Sequence, residues 1–142
     1  MFQKILVPID GSERSLLALK NACNLAETLH AKIFILTVVA KHVYVASDSA
    51  YQVSTPDIHE IGTKLLQTAE KIARNYPNIT YQTFLKEGDP RSVITDQMVK
   101  QLQPDLIVMG KTGTNRLARL LVGATARYVA ENAKTNVLLI EK

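Results

Sequence analysis

Five short apolar runs, separated by stretches of helical periodicity, leave this chain few folds to adopt. The runs are Phe2 to Ile9, Lys32 to Ala40, Asn78 to Lys86, Asp105 to Met109 and Val137 to Ile140. Those at Phe2, Lys32 and Asp105 are nearly continuous in Val, Ile, Leu and Phe, the pattern of strands buried on both faces. The run from Asn78 alternates only loosely and reads as less buried. Between the runs, apolar residues recur at helical spacing: Ala18, Ala22, Leu25, Ala26 and Leu29, then Ile58, Ile61, Leu65, Ala69, Ile72 and Tyr76, then Ile94, Met98 and Leu102. A last helical pattern covers Ala124 to Ala133. Strands alternating with helices imply a parallel sheet covered on both faces. With 142 residues, 46% of them hydrophobic, residues 1–142 are expected to form one domain with a substantial core.

The boundaries carry their own chemistry. Pro8 cannot donate to a ladder, so pairing should fail on one side near the end of the first strand. Asp10-Gly11-Ser12 is a turn, with Ser12 placed to cap the next helix, and His30 closes that helix. Thr55-Pro56 opens the second helix and Pro77 ends it. Asp89 caps and Pro90 begins the third, which Gln103-Pro104 stops. Lys41 to Thr55 has no helical period, and a connection that long is expected to be a lid over a site, ordered by ligand.

Three of the chain's six glycines cluster at Gly110, Gly113 and Gly123. Gly110-Lys111-Thr112-Gly113 follows a strand, and Gly123-Ala124-Thr125 enters a helix. Glycine permits unusual φ and lets the backbone approach a ligand closely, and the free N–H groups of a helix's first turn attract anions. A phosphate-binding loop is therefore expected. It is not a P-loop, which would need glycine where Asp105 stands. Nor is it the dinucleotide fingerprint, because Lys111-Thr112 occupies the place of a single residue.

The spacing G-x2-G-x9-G resembles the ATP-binding motif of the universal stress protein family. Lys4-Ile5-Leu6-Val7-Pro8-Ile9-Asp10-Gly11-Ser12 is similar to that family's first strand and turn. Gly88-Asp89-Pro90, Asp105 to Gly110 and Asn136 to Ile140 fall in the family's order along the chain. The departure is Ala124, where the family carries a serine or threonine; Thr125 follows it.

The resemblance implies an open five-stranded parallel sheet in the order 3-2-1-4-5, Rossmann-like and similar to the adenine nucleotide α-hydrolases. In such a sheet the ligand sits beyond the strand ends where the order reverses, so Asp10 and Gly110 should be neighbours. It also implies ATP or another adenine nucleotide, with or without Mg2+, as ligand. Pro8, Ile9, Asp10 and Val38 would surround adenine and ribose, with Asp10 accepting from a ribose hydroxyl. Met109, Gly110, Gly113, Gly123, Ala124 and Thr125 would hold ribose and phosphates, and Lys111 is a further phosphate candidate. Arg116 and Arg119 read as solvated charges. In that strand order Val137 to Ile140 lies at a sheet edge, apolar and free of proline, and invites pairing in a homodimer. A nucleotide-dependent regulatory or stress-response role follows. Two alternatives stand beside it: a dimeric interaction module without nucleotide, and a slow ATP hydrolase.

Other classes receive less support. The net charge of +4 comes from dispersed Lys and Arg, with no Trp, so nucleic-acid binding is not expected. No apolar run approaches a membrane span, and no secretory signal is present, so a cytoplasmic protein is expected. Cys23 is the single cysteine and reads as a small packing residue. His42 and His59 have no spacing that suggests a metal pair. No constellation for turnover accompanies the loop, so an enzyme is not expected.

Overall fold

The computed structural model describes residues 1–40, 55–113 and 121–142, with side chains in the second helix described from Ile58 onward. The expected lid from Lys41 to Thr55, apart from the backbone of Thr55, and Arg116 and Arg119 lie outside these residues. The elements run β1 (Lys4–Pro8), α1 (Glu13–Leu29), β2 (Lys32–Val39), α2 (Thr55–Ala73), β3 (Thr80–Glu87), α3 (Pro90–Ser92), a π-helical stretch (Val93–Met98), α4 (Val99–Leu102), β4 (Leu106–Gly110), α5 (Ala124–Asn132) and β5 (Asn136–Ile140). All five strands are parallel, in the order β3-β2-β1-β4-β5. The expected sheet is the observed one. None of the helices among the described residues is long and apolar enough to cross a membrane.

Because side chains alternate along a strand, the sheet sorts its apolar residues into two cores. Ile5, Val7, Ile33, Ile35, Leu106 and Val108 face one way, against Ala18, Ala22 and Ala26 of α1 and Leu66 and Ala69 of α2. Leu6, Phe34, Leu36, Ile107 and Met109 face the other way, against Ile94 and Met98 of the π-helical stretch and Val129 of α5. The alanines of α1 bring the helix axis close to the sheet. Cys23 is buried among them, and that burial, with Glu27 adding to it, pushes its thiol up to about 12. It is a packing residue, as expected.

Several local readings need correction. Asp105 is not strand but anchor: its carboxylate accepts from the N–H groups of Gln3 and Lys4 at 2.9 and 3.1 Å, tying the start of β1 to that of β4. On α2 the inward face is turned from the expected stripe. Ile61 is 58% exposed, and Gly62 is buried instead. The cause is steric, since a Cβ at Gly62 would stand 2.5 Å from Leu85 and 3.0 Å from Val39. The helix also stops at Ala73, before Tyr76, through tighter turns in which Asn75 donates to Ile72 and Tyr76 to Ala73. The third helical region is not α-helical throughout. Its middle widens into a π-helix that buries Val93, Ile94 and Thr95 in succession as well as Met98.

Candidate functional site

The crevice originates in one proline. β1 pairs with β2 as far as Pro8 opposite Leu36, but with β4 only at Ile5 and Leu6. Backbone N–H groups alternate sides along a strand, and that of Ile9 donates to the Leu36 carbonyl at 2.7 Å. The donor that Pro8 lacks therefore falls on the β4 side, where the ladder ends. Beyond that point β1 and β4 enclose a cavity of about 280 Å3, near the small end of the range for small-molecule sites.

The turn after β1 forms the first wall. Asp10 Oδ1 accepts from the Ser12 N–H at 2.9 Å, closing an Asx-type turn, and Gly11 takes the left-handed φ of 84° that the turn demands. Ser12 then caps α1, accepting from Ser15 N–H at 3.1 Å. The buried Ser15 hydroxyl donates back to the Ser12 carbonyl at 2.9 Å and accepts from the Asp10 N–H at 3.4 Å. A side chain of the chain itself thus takes one of the free N–H groups at the start of α1.

The glycine loop forms the opposite wall, and strand order alone brings it to Asp10. Gly113 lies so close that a Cβ there would run into the Asp10 carboxylate. Gly123 sits over the same loop, its N–H donating to the Lys111 carbonyl at 2.8 Å, and a Cβ there would stand 3.3 Å from Thr112 Cα. Neither glycine serves an unusual φ. Among the described residues positive φ occurs at Gly11, Gly88, His30 and Gln103, and Gly123 has a φ of −64°. Close approach of backbone, not left-handed geometry, is what these positions require.

Gly123 also begins α5 and offers no side-chain cap. Ala124, Thr125 and Ala126 form the helix's first turn and line the cavity. Of the residues expected at a site, Pro8, Ile9, Asp10 and Val38 line one side, and Met109, Gly110, Gly113, Gly123, Ala124 and Thr125 the other. Lys111 stands apart. Its ammonium pairs with Glu141 at 3.3 Å and its N–H donates to the Ile140 carbonyl at 2.8 Å, so it faces the end of β5 instead of the cavity. Sequence reasoning passed over Ser12, Ser15, Thr112, Pro90 and Ile94, which also line the cavity. Ser12 and Thr112 carried a signal, as hydroxyls beside Asp10 and between the glycines; Ile94 carried none, because the π-helical stretch turns it inward.

Around the cavity, the Asp10 carboxylate and the open first turn of α5 are the main features of opposite polarity. One accepts hydrogen bonds, and the other donates them with the positive end of a helix dipole behind it. Such a site suits a ligand with hydroxyl donors at one end and an anion at the other. Among the described residues no group of three or more His, Cys, Asp and Glu is placed to hold a metal ion.

The fold recurs in known proteins. A universal stress protein of Methanocaldococcus jannaschii is 33% identical over 144 aligned positions, covering 100% of this chain and 84% of that protein. The structure of the universal stress protein UspA from Lactobacillus plantarum superposes with a TM-score of 0.71 at 32% identity, covering 98% of this chain and 97% of the other. A crystal structure of a universal stress protein in complex with cAMP superposes with a TM-score of 0.74 at 25% identity, covering 99% of this chain and 97% of that one. The model of the universal stress protein family matches residues 1–141, and the chain belongs to that family.

Proposed function

We propose that this protein binds an adenine nucleotide between the ends of β1 and β4 and acts as a nucleotide-dependent regulatory protein of the stress response in the cytoplasm. The observation that carries the reading is the uncapped start of α5, open to the cavity opposite Asp10. Phosphate would accept from the N–H groups of its first turn, and Asp10 would accept from a ribose hydroxyl. Pro8, Ile9 and Val38 supply apolar surface for the base. The relative with bound cAMP supports an adenine ligand, and the glycine spacing supports ATP. Any Mg2+ would arrive with the phosphates. The family is one of stress proteins and not of enzymes. Ala124 alone favours a module without nucleotide, and Thr125 lines the same wall.

The assembly we infer is a homodimer across β5. That strand is the last in the sheet order, and Leu138 is 42% exposed on it. Two copies pairing about a two-fold axis would cover the apolar edge reciprocally.

Mass spectrometry of gently purified, then denatured protein should release an adenine nucleotide, and calorimetric titration of stripped protein should show it rebinding. Absence of both would end the nucleotide reading. Sedimentation should give a dimer at tens of micromolar; a monomer there would end the β5 reading.

A further inference from the structure

We propose that Arg14, in the first turn of α1, is the positioning residue of the anion loop, holding Thr112 and through it the start of α5 in the geometry that receives phosphate. The inference rests on the nucleotide reading above. Nothing in the glycine spacing points to Arg14, which lies ahead of the loop by most of the chain. Yet the two are in direct contact. The Arg14 guanidinium donates from Nη1 to Thr112 Oγ1, and its Nε donates to the Glu141 carbonyl at 3.4 Å, just beyond β5.

The backbone makes the same registration. A Cβ at Gly110 would stand 3.0 Å from both the carbonyl carbon and the Cβ of Arg14, so the first turn of α1 lies directly on the end of β4. Thr112 is then held between two neighbours, the guanidinium on one side and Gly123 on the other, where a Cβ would be 3.3 Å from Thr112 Cα. Because Gly123 is the residue from which α5 starts, the contacts run without a break from Arg14 through Thr112 to the uncapped N–H groups. Arg14 itself does not line the cavity, so it acts through Thr112 and not on the ligand. A planar fork that grips two oxygens in fixed directions suits this task, and a lysine's single flexible ammonium does not.

The test is a titration of adenosine, AMP and ATP into the whole chain and into Arg14→Lys, Arg14→Gln, Thr112→Val and the double variant Arg14→Lys/Thr112→Val. Loss of one charge-assisted hydrogen bond corresponds to about tenfold in affinity. Arg14→Lys, which keeps the charge, should weaken AMP and ATP by about that factor. Arg14→Gln and Thr112→Val should do the same, and the double variant should be no weaker than either single change. Adenosine, which has no phosphate, should bind Arg14→Lys and Arg14→Gln like the parent, a result that general disruption of the fold would not give. Melting curves without ligand check that each variant is folded. Full AMP affinity in Arg14→Lys would overturn the proposal in favour of simple charge attraction. Equal losses for adenosine and AMP, or additive losses in the double variant, would overturn it too. If the unaltered chain binds none of the three ligands, the nucleotide reading itself falls, and this inference with it.

Discussion

Two helices begin at the same cavity and treat their first turns in opposite ways. α1 starts from Ser12, whose hydroxyl takes a backbone N–H, and Ser15 and Asp10 complete the local bonding. α5 starts from Gly123 with no side chain to do the same. Each helix leaves N–H groups without an intrahelical partner, so the difference is one of who supplies the acceptor. In α1 the chain supplies it and the helix start is a structural joint. In α5 the acceptor must come from water or from a ligand. A fold that turns two helix starts toward one cavity thus closes one and leaves the other open, and the choice is written in the residue before each helix.

Making the open start resemble the closed one is the strongest way to break this contrast. Gly123→Asp would place a carboxylate where phosphate is proposed to sit, and calorimetry should show nucleotide affinity reduced by at least about tenfold. The backbone at Gly123 has a φ of −64° that aspartate can adopt, but its Cβ would stand 3.3 Å from Thr112 Cα, so Gly123→Ala is the control that separates crowding from charge and should lose less affinity than Gly123→Asp. Unchanged affinity would show that no ligand uses α5. Making the closed start resemble the open one should act on stability instead. Ser12→Ala should lower unfolding free energy by about 1 kcal/mol, read from urea midpoints, with a far smaller loss of affinity than Gly123→Asp. No change in the midpoint would mean that the Ser12 cap contributes nothing. The mildest change sharpens the open start. Ala124→Ser restores the family's hydroxyl and should tighten binding by at most about 1 kcal/mol, roughly fivefold. Weaker binding would show that Ala124 is suited to its place.

The contrast also shows how far the sequence could be read. Strand identity was legible because each run's apolar pattern is local, whereas the meeting of Asp10 with the glycine loop followed from a strand order that only the family resemblance implied. The cap at Ser12 and the anchor points of Pro8 and Pro90 were legible for the same local reason. What depended on distant partners was not. Lys111 reads as a phosphate candidate or a solvated charge until Glu141 is placed beside it, and nothing in the intervening residues announces that pairing. The inward face of α2 turned on Gly62, whose missing side chain makes room for Leu85 and Val39 of other elements. Arg14 was indistinguishable from any solvated charge. In each case the deciding contact joins segments far apart in the chain.

The widened turn at Val93–Met98 has a consequence for how length varies along this chain. A single π-turn inside an α-helix accommodates one additional residue while leaving the helix on either side in phase. Excising one residue from Thr95 to Gln97 would let the region close into an ordinary α-helix with Pro90 and Leu102 still facing as they do now. The segment is therefore a place where deletion of a single residue is structurally silent at both ends, although it would withdraw Ile94 from the cavity wall. Relatives that differ in length by one residue here would keep the sheet and the loop but present a differently shaped floor to the ligand.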